Sequence, residues 1–389
     1  MKTILRRLLV PIASLRLTVV CLATALVLVL AGTLAQVNIN PVEAQQQYFQ
    51  SWFIWWSAGG GGFKMPVFPG GHFVGAVLLF NLIAAHIHRF SWSWSKAGIQ
   101  LTHLGLIVML AGGLATDLFS VSSHMYLRQG ETKNYSDDDI RTELAVTEQT
   151  SGATNRVIAI PGEVLSACGT TSHEALPFKI VVKGFYPNAD LQMVGQENGP
   201  SVPAASNGAG AQIGIKALPT FSEMNKRNKT SAVVELVSNK GEKSLGTWLV
   251  SVEIDQGQDF EVDGRHWSMA LRFARYYKDY SLSLISFTHE TYPGTEIAKG
   301  FSSIITLADV KHNENRQVKI FMNHPLRYLG DTYYQSGYQS DNSTILQVVR
   351  NPSYQAPYIS CVIVSLGLLM QFTYHLVGFA RRANAAKAL

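Results

Sequence analysis

The sequence predicts an α+β membrane protein: three N-terminal membrane helices, a large antiparallel β-rich domain, then one C-terminal helix. Three observations predict it. Of the 389 residues 47% are hydrophobic and only 15% charged, where average usage is nearer ~25% charged. The apolar residues gather in four runs that are almost free of charge. The 238 residues from 119 to 356, between the third and fourth runs, hold most of the charge and read with a two-residue period.

The first run, residues 17–35, is nineteen residues without a charge, enough to cross ~30 Å of hydrocarbon at ~1.5 Å per residue. A signal peptide is the alternative, since basic residues precede the run and an alanine ends it, but the apolar core exceeds the usual ~7–15 residues. The second run, 73–88, is shorter and includes Asn81, His86 and His88. The third, 97–116, and the fourth, 358–380, are uncharged over twenty and twenty-three residues. These runs divide the chain into a membrane domain, 1–118, with a Trp- and Gly-rich loop at 37–71; a β-rich domain, 119–356; and a final span with a basic tail, 357–389.

Charge gives the expected orientation. Lys2, Arg6, Arg7, Arg16, Arg89, Lys96, Arg381, Arg382 and Lys387 flank the spans on one side, nine cations against Lys64 alone in the loop at 36–72. Under the positive-inside rule both termini are cytoplasmic and the β-rich domain lies outside. That domain carries 22 Lys+Arg and 25 Asp+Glu, so the basic balance of the chain comes from its inner flanks and not from a nucleic-acid footprint.

Three cysteines, Cys21, Cys168 and Cys361, lie far apart with no C-x-x-C. Zinc ribbons, thiol-redox motifs and disulfide scaffolds are excluded, and the absence of C-x-x-C-H means the chain is not itself a c-type cytochrome. Cys168 has no partner inside the outer domain, so the β core must hold unaided. Strands are expected at 178–186, 231–238, 280–289, 302–310, 316–324 and 343–350, separated by turn clusters. The Gly/Ala/Ser/Asn-rich stretch 196–214 is expected to be a mobile loop. His266 and His324 read as structural, with His324 ending a strand before Pro325.

Trp52, Trp55 and Trp56 stand beside the span ends. They read as an interfacial aromatic belt, or as a flat platform for a planar ligand with glycines permitting close approach. Histidines within the spans are functional candidates, because an ionisable side chain in lipid is costly. With the orientation above, His86, His88, His103 and His375 all fall in the inner part of the bilayer without an accompanying carboxylate. Neutral imidazole in such a setting suits iron or haem better than a hard cation or a proton relay. The plainer alternatives are headgroup contact for His86 and His88, snorkelling for His375, and a single interhelical hydrogen bond for His103. Gly105, Gly112 and Gly113, on the His103 run, would let a helix or a flat ring approach.

The runs LAGTLAQV, YFQSWF, FPGGHFVGAVLLFNLIAAHIHRF, KAGIQLTHLGLIVMLAGGLAT and GETKNYSDDD, with VKIFMNHPLRYLGDTYYQSGY and ILQVVRNPSYQAPYIS near the end, resemble the ResB family of System II cytochrome c biogenesis. The likeness covers both ends of the chain and is weak over roughly 150–270. It implies a multi-pass protein of the bacterial cytoplasmic (inner) membrane, an accessory subunit of a haem-delivery and cytochrome c synthase (haem-lyase) complex. The implied partners are a ResC (CcsA)-type protein carrying the WWD haem-handling motif, absent here, together with apocytochrome c, haem and the lipid bilayer; no nucleic acid is implied. The implied cargo is haem b, bound transiently. The resemblance places the haem-ligand histidine of the third span at His103, with the other axial ligand on a ResC helix; His86, His375, Trp55 and Trp56 are weaker candidates. Two alternatives compete: a cytochrome b-type quinol oxidoreductase subunit with His86 and His103 as a pair, and a membrane anchor for the outer domain.

Overall fold

The computed structural model describes residues 10–39, 41–57, 64–90, 93–149, 155–195, 200, 202–220, 227–241, 243–294, 298–338 and 342–387. Lys2, Arg6 and Arg7 of the orientation argument, and Gly59–Gly62 of the glycine-rich loop, lie outside these residues. The chain forms two compact units, one of residues 1–121 with 351–389 and the other of residues 122–350.

Four helices in the first unit are long and apolar enough to cross a membrane. They are α1 (Leu15–Ala35), α2 (Gly71–Arg89), α3 (Trp94–Phe119) and α4 (Ala356–Lys387). Each begins where the sequence supplies a start signal. Ser14 caps α1, its side chain accepting from the Leu17 amide at 3.2 Å. Gly70 and Ser93 stand in extended backbone ahead of α2 and α3, and Pro357 sits in the first turn of α4, where its missing N–H costs nothing. Large side chains such as Leu26, Phe80, Phe372 and Phe379 stand exposed on the helices, as expected of surfaces solvated by acyl chains.

Two polar seams join these helices. Asn81 of α2 accepts from Thr18 Oγ1 at 2.7 Å and donates to the carbonyl of Ser14 at 3.2 Å, beside a small-residue contact of Ala13, Ala84 and Ala85. The α3–α4 seam runs on glycine. A Cβ at Gly98 would lie 2.6 Å from the Gly367 carbonyl oxygen, and one at Gly105 2.6 Å from Val364 Cγ2. Ser360 Oγ donates to the Gly105 carbonyl at 2.7 Å, and Ser353 Oγ to that of Gly112 at 3.0 Å. Close backbone approach plus hydroxyl hydrogen bonds is how helices associate where lipid removes the hydrophobic drive.

The described part of the stretch read as a loop at 37–71 is structured. A helical turn, Pro41–Ala44, runs into a π-turn, Gln45–Phe49, and then an antiparallel hairpin of β1 (Phe53–Ser57) and β2 (Lys64–Pro69). Its local sequences are β-formers, FIWWS opposite KMPVFP.

The second unit is antiparallel throughout its named pairings. Strands β3 (Val121–Arg128), β4 (Thr132–Glu148) and β5 (Arg156–Pro161) precede a helical turn at Gly162–Ser166. Then come β6 (Thr170–Thr171), β7 (Phe178–Tyr186), β8 (Ala189–Met193) and β9 (Ile213–Ala217). The order continues with β10 (Ser231–Ser238), β11 (Ser244–Ser251), β12 (Gln258–Val262), β13 (Arg265–Thr291) and β14 (Ala298–Asp309), ending in β15 (Glu314–Phe321), β16 (Leu326–Tyr328), β17 (Asp331–Gly337) and β18 (Ser343–Arg350). A ten-stranded sheet follows the order β15-β14-β13-β4-β3-β18-β17-β16, with β12 on β13 and β5 on β4; β11-β10-β7-β6 form a second sheet.

Strand β13 serves two cores and shares the first with β4. Leu144, Val146, Trp267 and Met269 pack against Phe178, Ile180, Val234 and Leu236 of the second sheet. Farther along, Tyr280, Leu282 and Leu284 pack with Met125, Leu127, Ile305, Tyr333 and Leu346. The β4–β13 register shifts between Phe273 and Arg275 and again between Tyr277 and Leu282. There the apolar alternation gives way to ARYYKDY, and a charged group takes its place: Arg275 lies 4.1 Å from the Tyr135 ring centroid and 3.4 Å from Asp137 Oδ1. Burial pushes the Asp137 carboxyl up, although Arg275 and Lys133 oppose it. Burial likewise raises Asp138, but hydrogen bonds from Tyr276, from the Arg141 and Ile140 amides and from the Arg141 side chain outweigh it and hold this carboxyl low.

Two expectations need correction. The described part of 196–214 is anchored: the Asn207 amide donates to Thr247 O at 3.0 Å and the Ala204 amide to Ile213 O at 2.9 Å. Residues 196–199 and 201 lie outside the description. His324 does not end a strand; β15 stops at Phe321, and His324 turns back to bridge it, its ring stacked at 4.0 Å on Phe321. His266 pairs with Glu261 at the start of β13.

Candidate functional site

Helices α2 and α3 are joined by a short connection and diverge over a cleft of about 480 Å³, within the ~300–1,000 Å³ range of small-molecule sites. His86 and Phe90 line it from the end of α2, Ser93 and Trp94 from the connection and the start of α3, and Ala97, Gln100, Leu101 and Leu104 from α3. The α3 residues recur at the i, i+3, i+4, i+7 spacing that puts them on one helix face.

His86 is the polar centre of this apolar lining. Its Nδ1 is buried with no hydrogen-bond partner among the described residues, and Phe90 meets its ring edge-on at 5.9 Å. Leaving a buried ring nitrogen unmatched costs about 1–3 kcal/mol. An electrophilic partner at that nitrogen would recover the cost. The lining would suit iron in a porphyrin: one imidazole, aromatic and aliphatic walls, and no carboxylate among the lining residues. It does not fit a bare metal ion, since among the described residues no cluster of three His, Cys, Asp or Glu could hold one.

The other sequence candidates are dispersed. His103 is half-buried on α3 but is not among the residues lining the cleft; at ~100° per residue it lies roughly 60° around the helix from Gln100 and roughly 100° from Leu104. The structure thus does not bring His86 and His103 together on one cleft. His88 is exposed at the end of α2. His375 is exposed on α4, where Gln371 Nε2 donates to its Nε2 at 2.7 Å. Trp55 and Trp56 are exposed on β1, opposite Pro66 and Met65. Neighbouring residues of a strand face opposite ways, so these two indoles do not form one flat platform.

Sequence reasoning missed the opposite end of α2. His72, in its first turn, meets Asp117 in the last turn of α3: Nε2 to Oδ2 is 2.7 Å. Gln50 Nε2 donates to the other carboxylate oxygen at 3.3 Å, and the Trp52 ring lies 6.2 Å from the imidazole. The available signal was that consecutive spans are antiparallel, so the start of one and the end of the next must be neighbours.

Two comparisons with known proteins bear out the resemblance read in the sequence. The model of the ResB-like family matches residues 243–345, which run from β11 into β18 and leave the helices outside the match. The chain is also similar to Protein NrfI of Wolinella succinogenes, with 25% identity over 300 residues, 75% of this chain and 29% of that protein. The chain thus spans about 29% of the length of the curated relative it matches.

Proposed function

We propose that this chain is a membrane subunit in cytochrome c biogenesis that takes up haem between its spans and hands it to a ResC-type partner for covalent attachment to apocytochrome c. The observation that carries the reading is the buried, unmatched Nδ1 of His86 at an apolar cleft between two candidate spans. The family match and the relative support the biogenesis role. The nine flanking cations support a reading in which the His86 end of α2 lies at the cytoplasmic face of the bacterial inner membrane and the β domain outside.

In this reading haem is cargo. His86 offers an imidazole lone pair to the iron, while Phe90, Trp94, Leu101 and Leu104 exclude water from the ring faces. Gln100 and Ser93 supply the polar atoms of the lining. His103, on a different face of α3, keeps the role that the resemblance implies: it shares an iron with a histidine on a partner helix. The β domain braces the partner or holds an extended apocytochrome segment, and the terminal strands of the ten-stranded sheet, β15 and β16, are the positions suited to strand addition.

The test is haem content by Soret absorbance of the purified chain, alone and with the partner. His86→Ala is expected to empty the isolated chain, and His103→Ala to lower the haem of the two-chain complex while sparing the isolated chain. Full haem content in both variants would refute the reading.

A further inference from the structure

We infer that the β1–β2 hairpin is a membrane-interface anchor. It lies in the headgroup–acyl boundary of the bilayer, wetted by lipid on both faces, at the end of α2 opposite His86. This stands apart from the haem reading and concerns how the helical unit is held in the membrane.

Side chains alternate along a strand, so Phe53 and Trp55 of β1 face one way and Ile54 and Trp56 the other. Both directions are open: Trp55 is 55% exposed and Trp56 57%. Their cross-strand neighbours Pro66 and Met65 are exposed too, as is Val67, where the register slips. An antiparallel pair half-exposed to water keeps one polar face. This one has no polar residue from Phe53 to Trp56 or from Met65 to Pro69. A protein partner or a second copy would pack on one face and leave the other apolar face in water. A fluid apolar medium covers both, and the hairpin belongs to the unit whose four helices are long and apolar enough to cross a membrane.

Depth follows from the backbone. A two-stranded hairpin has two unpaired edges, and unpaired N–H and C=O groups are excluded from the hydrocarbon centre. Pro66 and Pro69 remove two donors from β2, but the remaining edge groups still need partners. The headgroup region supplies water for those edges and an apolar boundary for the side chains. Tryptophan favours that level, its ring on the acyl side and its indole N–H toward water. Between Glu43 and His72 the chain has no acidic residue and one cation, Lys64, so little charge opposes insertion.

The hairpin is fixed to the helices. The Gly70 amide donates to Trp52 O at 2.9 Å and the His72 amide to Ser51 O at 3.2 Å. A Cβ at Gly70 would fall 2.2 Å from Ser51 O, and one at Gly71 2.3 Å from Phe49 O; only glycine permits that approach. The Phe53 and Phe73 rings meet at 5.4 Å. Toward α1, the Phe49 ring lies against Gly32, 2.9 Å from where a Cβ would stand. The anchor thus sets the level of one end of α1 and α2 together, and with it the height of the cleft at the far end of α2.

The experiment uses the full-length chain in phosphatidylethanolamine–phosphatidylglycerol vesicles, its own cysteines replaced (Cys21→Ala, Cys168→Ser, Cys361→Ala). A bimane label is attached at Pro66→Cys or at Met65→Cys, one on each face, with all three indoles kept. Phospholipids carrying a nitroxide near the headgroup or at the acyl terminus then quench it. Quenching is expected at both positions, several-fold stronger from the headgroup-proximal nitroxide. Trp55→Cys and Trp56→Cys repeat the reading from β1, so that no one substitution decides it. Quenching on one face alone would assign the other to a protein contact and overturn the anchor. Quenching on neither face, or stronger quenching from the acyl terminus, would overturn it as well.

Discussion

Asp331 is 2% exposed and holds Lys278 Nζ at 2.8 Å, while Tyr280 donates to its Oδ2 at 2.9 Å. Tyr280 also meets the Tyr333 hydroxyl at 2.7 Å. Asp331 and Tyr333 of the stretch LGDTYYQ, which carried part of the family resemblance, are thus an internal polar scaffold of the β domain. Removing one member of a buried ion pair leaves the other uncompensated, so Asp331→Ala should destabilise the β domain by about 3–5 kcal/mol. Urea denaturation followed by tryptophan fluorescence checks this, with Trp248 and Trp267 in the affected unit. A second carboxylate gives a pH signature. The hydrogen bond from His312 comes first among the causes that lower Asp309 to about 2, helped by Tyr328 and the His312 amide against the effect of burial. A depressed carboxyl stabilises the fold above its unfolded value near ~3.9 and loses that contribution as pH falls through about 2. Asp309→Asn should therefore flatten the acid limb of stability between about pH 4 and 2, read by the urea midpoint at each pH. At this scale the sequence revealed less. The intramembrane histidines were visible as a costly residue type in an apolar run, but which of them lines a cleft depends on helix facing and on the α2–α3 divergence. The His72–Asp117 pair spans 45 positions, and each residue alone reads as an ordinary polar span end.

Among the elements, the four helices fall within a few residues of the apolar runs, because an uncharged stretch of that length has few other stable states in lipid. Strands β7, β10 and β18 match their predicted ranges, since clean two-residue alternation fixes which face is buried. The 27-residue β13 was legible only in part. Its middle, RYYKDY, breaks the alternation and reads as an interruption, whereas the chain crosses it by shifting register against β4. The hairpin β1–β2 was hidden by its aromatic and glycine content, which suits a loop equally well. The α3–α4 seam yields a sharp prediction. Gly98→Leu or Gly105→Leu would drive a side chain into Gly367 O or Val364, and should separate the two helices. A cross-link between cysteines placed on the facing sides of α3 and α4 should fall several-fold in either variant, while Gly113→Leu, with no atom within 4 Å of its built Cβ, should leave it intact.

For the whole molecule, orientation is the property on which every functional step depends. The chain has its own reporter. Cys168 is exposed in the β unit, whereas Cys21 is buried on α1 and Cys361 lies within α4. In intact cells with a permeabilised outer envelope, a membrane-impermeant maleimide should label Cys168 and leave the Cys168→Ser variant unlabelled. Labelling of Cys168 only after the cytoplasmic membrane is opened would reverse the orientation and the face assigned to His86.

The glycine seam also sets an order of events. Thr116 and Ser353 meet at 2.7 Å although 237 positions separate them, and every residue of the β unit is threaded between those two points. A nascent chain must deliver that entire stretch before α4 emerges to meet its groove on α3. The clasp is therefore the last join made. Any lesion that stalls the β unit, Asp331→Ala included, is expected to leave α3 open along Gly98, Gly105 and Gly112 and available to quality-control proteases, so early breakdown should begin inside the bilayer even when the fault lies outside it.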